Sequence, residues 1–122
     1  MLGMSFKNLK VWQKSMELVK LVYELTKSFP KEEVYGLNSQ MRRAAISVAS
    51  NISEGSQRTS DKEFEHFILM SRGSLAELET QRLASEMLGY GRQDLQQKIS
   101  LLIEEVSRML HSFHRKLIAQ SS

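Results

Sequence analysis

The chain has no cysteine and one proline in its 122 residues. Without cysteine there are no disulfides and no thiolate metal sites, and a reducing compartment is compatible. The lone proline, Pro30, makes one imposed break, because it biases Phe29 away from helical geometry. Aromatic residues are 7% of the chain and fall mostly on apolar stripes, a poor basis for stacking on bases and reading their order. No stretch approaches the roughly 20 apolar residues of a membrane span. The opening MLGMSFKNLK lacks the apolar run of a signal peptide. The expectation is a soluble, cytoplasmic protein with no membrane partner, in which the sequon Asn51-Ile52-Ser53 has no meaning. Strand alternation, internal repeats and low-complexity segments are also missing. The length exceeds the roughly 70–80 residues below which one core rarely suffices, so residues 1–122 read as a single domain.

Apolar residues recur at helical spacing in four segments. The first spans about 8–29, with Val11, Trp12, Leu18, Val19, Val22, Leu25, Thr26 and Phe29 on one side. Lysines and glutamates fill the other side, and Glu17 and Glu24 each stand three residues before a lysine, Lys20 and Lys27. Such exposed pairs contribute only about 0.2–0.5 kcal/mol. Residues 31–36 connect, with one short turn at PKEE, and Asn38 is positioned as the N-cap of the second helix. Ser60-Asp61-Lys62-Glu63 matches a capping box that opens a third helix over 61–88. Its expected apolar face is Phe64, Phe67, Ile68, Ser71, Leu75, Leu78 and Met87. Gly73 in its middle costs about 1 kcal/mol against alanine, which implies close approach of another helix. Gly89-Tyr90-Gly91 turns the chain into a fourth helix over 93–118. There Leu95, Ile99, Leu102, Val106, Met109 and Phe113 form a coiled-coil-like seam. Ile103, Leu110, Leu117 and Ile118 make a second line, expected against another subunit. The architecture is all-α, an antiparallel up-down four-helix bundle.

The second segment, QMRRAAISVASNISEGSQR over 40–58, differs from the rest. Met41, Val48 and Ile52 share one face, while Ala44, Ala45, Ser47, Ala49, Ser50 and Ser53 let other backbones approach. This is the expected core helix, ending at Gly55 as a left-handed cap. Asn51 and Glu54 lie beside buried positions and need fixed partners.

The same stretch carries a family resemblance. SVASNISEGSQR resembles the signature of the four-helix-bundle proteins encoded by intervening sequences in ribosomal RNA genes. That family is similar to the accessory variability protein of diversity-generating retroelements. The resemblance extends over FKNLKVWQKSMEL, Phe29-Pro30, Glu33, Tyr35-Gly36-Leu37, Gln40 to Ala44, and Gly73-Ser74-Leu75-Ala76-Glu77-Leu78-Glu79-Thr80. Many relatives carry proline where this chain has Ala49, and alanine where it has Ser53, so a straighter helix is expected here. The resemblance implies a homo-oligomer, a pentamer, with RNA or DNA and a reverse transcriptase or another protein as possible partners.

Sites of chemistry are scarce. Glu63-x-x-His66 is the single Glu-x-x-His motif, where a helical di-iron site needs two plus further glutamates. His111 and His114 share a face without a nearby carboxylate. There is no nucleophile elbow, phosphate loop or dinucleotide fingerprint. Glu77 and Glu79, two residues apart on a helix, point in different directions. The reading is non-enzymatic, with no cofactor and no metal.

Charge is more informative. Net charge is +3, and residues 1–60 hold nine basic and five acidic side chains against eight and nine in 61–122. No acid follows Glu105, while Arg108, Arg115 and Lys116 do. Lys7, Lys10, Lys14 and Lys20 on helix one, with Arg58, Arg115 and Lys116, are the candidate phosphate contacts. Arg42, Arg43, Asn51, Glu54, Ser74, Glu77 and Glu79 are the candidate structural network. In it an arginine of helix two pairs with Glu77 or Glu79, and Asn51 bonds to Ser74. The function expected is weakly sequence-selective binding of RNA or DNA as an accessory protein. The alternative is a structural or protein-interaction module without nucleic-acid binding.

Overall fold

The structure, a computed structural model, describes residues 5–121. Four helices, α1 (Lys10–Thr26), α2 (Leu37–Ser56), α3 (Asp61–Met87) and α4 (Gln93–Ser121), account for most of them, with 3-10 turns at Phe6–Asn8 and Lys31–Glu33. Each helix packs on two others, α1 and α3 both lying between α2 and α4. Cross-helix pairs run in opposite directions along neighbouring helices. On α2 and α3, Ser47 meets Ser74 and Gly55 meets Phe64 and Phe67. On α3 and α4, Arg82 meets Gln96 and Phe64 meets Phe113. The result is the expected antiparallel four-helix bundle.

The core follows the periodicity. Leu18, Val22 and Leu25 from α1 meet Met41, Val48 and Ile52 from α2, Phe64, Ile68 and Leu78 from α3, and Ile99, Val106 and Leu110 from α4. All twelve are fully excluded from solvent, and each large one contributes about 1.5–3 kcal/mol by burial. Buried hydroxyls in this core bond to backbone carbonyls. Ser15 Oγ donates to Val11 O at 2.7 Å, and Ser71 Oγ donates across helices to Val48 O at 2.7 Å. A buried polar group so satisfied carries little penalty.

Several local expectations are corrected. α1 begins at Lys10, not residue 8, because Phe6–Asn8 forms a separate turn, and it ends at Thr26, before Pro30 can act. Asn38 is not a cap: it sits inside α2 and donates its side-chain amide to Thr26 O at 3.0 Å. The cap contact comes from Glu33, whose carboxylate accepts from Leu37 N at 3.3 Å. At α3 the Ser60 hydroxyl accepts from Glu63 N at 3.2 Å, and the Glu63 carboxylate approaches the Ser60 hydroxyl at 3.5 Å. The reciprocal half of the capping box, to backbone N–H, is not the contact seen. Met87 is 82% exposed rather than on the apolar face.

The glycines change roles. Gly55 lies within α2, and the positive-φ glycines among the described residues are Gly89 and Gly91, φ 79° and 78°, at the α3–α4 turn. A Cβ on Gly55 would meet Phe67 Cβ at 2.7 Å and Phe64 Cδ1 at 2.8 Å, so the glycine is there for close helix approach. A Cβ on Gly73 meets nothing within 4 Å, so no helix of this chain packs there. The second apolar line of α4 also turns inward. Ile103, Leu110 and Leu117 are buried, and only Ile118 of that line is exposed. The long helix wraps the core closely enough to bury both lines.

Candidate nucleic-acid interface

The lysines of the first helix do not form one continuous stripe. Lys7 is exposed in the turn before α1, where its carbonyl accepts from Gln13 Nε2 at 2.8 Å. Lys10, exposed at the first position of α1, faces the far end of α4. One turn on, Lys14 is neutralised by Glu17 at 3.5 Å and by Glu105 at 3.6 Å. Glu17 thus pairs backwards with Lys14 rather than forwards with Lys20. Lys20 lines a groove with Glu17, Glu24, Glu105 and Lys98, a mixed-charge surface. Lysines flanked by carboxylates attract phosphate far less than unpaired ones.

Arg58 is withdrawn differently. Its guanidinium contacts Glu54 at 2.9 Å and stands 4.6 Å from the Phe67 ring centroid. Charge and cation–π contacts both hold it against its own chain. Arg115 and Lys116 are exposed near the end of α4. Lys116 joins Lys10 and Arg108 around a groove of about 340 Å³ that Leu9, Val11, Met109, Ser112 and Phe113 complete. No carboxylate lines this groove among the described residues. The structure therefore brings together Lys10 and Lys116 from the expected set and adds Arg108. The sequence signal for Arg108 was the acid-free run after Glu105; its partner across the bundle, Lys10, was not readable from it.

The polar network also differs from expectation. Arg42 does not reach α3: its Nε donates to Thr26 Oγ1 at 2.9 Å, and its guanidinium covers the Tyr23 ring at 4.4 Å. Arg43 is exposed. Glu77 is exposed, and Glu79 contacts Arg82 of its own helix at 3.5 Å. Asn51 donates to Ser47 O at 2.9 Å and Ser47 Oγ at 3.1 Å. Ser47 Oγ then shares a 2.8 Å bond with Ser74 Oγ. The link from Asn51 to Ser74 exists only through Ser47, because one turn of helix separates Asn51 from the level of Ser74.

A second polar centre was missed. Arg82, 4% exposed, donates to Gln96 Oε1 at 3.3 Å and lies near Glu79 and Glu86 at 3.5 Å. Gln96, also buried, donates to Ser85 Oγ at 2.9 Å and Tyr90 O at 3.1 Å. Tyr90 in turn donates its hydroxyl to Glu33 at 3.2 Å; burial, then that carboxylate, pushes its pKa up. This network ties the α3–α4 turn to the α1–α2 connector. At the start of α4, Arg92 bonds Asp94 twice, at 3.0 and 2.8 Å, and lowers its pKa to about 2.

No three histidines or acids gather as a metal-ligand set among the described residues. Glu63 is engaged at its cap, and His114 Nε2 lies 3.3 Å from Glu65. No helix among the described residues is long and apolar enough to cross a membrane.

Residues 7–112 match the family described as 23S rRNA-intervening sequence protein. The chain belongs to that family. No curated protein matches it significantly. The matched span contains Lys10 and Arg108 and stops at residue 112 within α4. Arg115 and Lys116 lie beyond it, so the basic groove joins residues of the family span to a neighbouring segment.

Proposed function

We propose that this chain is a non-enzymatic, self-associating cytoplasmic bundle that binds RNA or DNA with weak sequence selectivity, as an accessory to another protein. The observation that carries the reading is the groove rimmed by Lys10, Arg108 and Lys116 without a lining carboxylate among the described residues. Three cations lining one groove release condensed counterions when they meet phosphates, and this supplies sequence-independent affinity. Exposed Lys7 and Arg115 stand on the flanking segments. The scarcity of polar groups suited to reading base edges supports weak selectivity. The family description, which refers to ribosomal RNA, is consistent with an RNA setting.

The test is a titration into labelled RNA and DNA across salt concentrations. Three phosphate contacts per protomer give a log–log slope of about −2 on single strands and about −3 on duplex. Absence of binding at low salt removes the reading.

A second reading, a protein-interaction module without nucleic acid, has its own support. Leu83, Met87 and Leu88 are 49%, 82% and 52% exposed toward the end of α3. Such apolar groups suit a protein interface, whether with copies of the chain, a pentamer by family resemblance, or with another protein. Sedimentation equilibrium at high salt separates the two, because apolar association persists where phosphate binding fails.

A further inference from the structure

The basic groove has a floor unlike its rim. Lys10, Arg108 and Lys116 supply charge, while Leu9, Val11, Met109 and Phe113 supply an apolar base. Leu9 and Val11 are buried, and Met109 and Phe113 are half-buried. The Phe113 ring is braced against Phe64, centroids 5.1 Å apart, so this surface is already ordered. By contrast, the larger α3–α4 groove of about 720 Å³ carries Arg72 and Arg108 together with Glu79 and Glu104, and has no net preference for either sign.

A rim of cations around an apolar floor selects a particular form of nucleic acid. A duplex keeps its bases stacked inside a cylinder of phosphates, so it reaches the rim and leaves the floor wet. A single strand turns a base outward, covers the floor with it, and still offers flanking phosphates to the rim. Arg108 and Lys116 stand eight residues apart on α4, about 12 Å along its axis, and bracket Ser112 between them. The Ser112 hydroxyl donates and accepts, which matches a ribose 2′-hydroxyl.

We propose that this groove takes one unstacked base of a single-stranded RNA, with neighbouring phosphates on Lys10, Arg108 and Lys116. The inference rests on the nucleic-acid reading above and names the form of its ligand. Ser112→Glu is the informative variant. Residue 112 is exposed on a helix, glutamate is a good helix former, and its carboxylate stands one turn before Lys116. It puts bulk into the groove and one negative charge among the three rim cations without disturbing the core. Lys98→Gln, in the mixed-charge groove, lowers net charge by the same amount and serves as the control.

The experiment measures fluorescence anisotropy of the full chain with single-stranded RNA, duplex RNA and single-stranded DNA of equal length at low salt. Single-stranded RNA binds at least about fivefold more tightly than duplex, the low end of what base–aromatic stacking contributes, and more tightly than DNA. Ser112→Glu removes that preference, and Lys98→Gln preserves it. Duplex binding as tight as single-strand binding, DNA binding as tight as RNA binding, or equal effects of the two variants overturns the inference and leaves the broader reading standing. No binding to any of the three overturns both.

Discussion

Gly55 of α2 and Phe67 of α3 are so close that a Cβ on the glycine would lie 2.7 Å from the phenylalanine Cβ. That atom is fixed to the α3 backbone, and Phe64 Cδ1 blocks a second direction at 2.8 Å. Gly55→Ala gains about 1 kcal/mol of helix propensity and incurs overpacking of about 3 kcal/mol. A net loss of about 2 kcal/mol follows. Urea denaturation checks it, and an unchanged midpoint would mean that the two helices separate freely at this level.

Gly73→Ala has the opposite sign. The added methyl meets nothing within 4 Å, so the propensity gain of about 1 kcal/mol stands alone. The melting temperature rises by about 4 °C for a chain of this size. A fall would show that a second molecule covers the α3–α4 groove in solution, and repeating the melt at lower protein concentration distinguishes that case.

Gln96→Leu removes a bond from Arg82 and two donated bonds, to Ser85 Oγ and Tyr90 O. Leucine nearly preserves the volume but leaves buried polar groups short of partners. The loss is about 2–3 kcal/mol. Hydrogen exchange at the α3–α4 turn should accelerate with it, because Gln96 is what ties the Tyr90 carbonyl down.

Asp94 sets a pH dependence. Its pKa falls from 3.8 to about 2, chiefly through the Arg92 hydrogen bond, so the folded state favours the carboxylate. A depressed folded-state pKa means the contribution is complete above about pH 4 and is lost as pH falls through about 2. Asp94→Asn is therefore less stable than the parent at pH 7, and the two converge near pH 2. Denaturation midpoints at the two pH values test this; a constant gap would show that Arg92 and Asp94 are not coupled in solution.

The order and number of helices and most of the core were legible in the sequence. A 3.6-residue period is a property of one helix, and Val22, Val48, Ile68 and Val106 announce their burial through local spacing. Helix ends were less legible, because Thr26 and Asn38 respond to each other across the connector rather than to their own neighbours. Gly55 read as a helix end and Gly73 as a point of close helix approach, yet Gly55 lies within α2 against Phe67 and Gly73 faces open space.

The same division holds for the candidate interface. Composition alone established a basic, cysteine-free chain with an acid-free tail after Glu105. Which charges remain unpaired was decided only when α1 and α4 came together. Glu105 reached Lys14 from 91 positions away, and Arg108 and Lys116 came to rest beside Lys10. Coulomb energy depends on distance in space, and sequence separation carries none of that information once the helices pack.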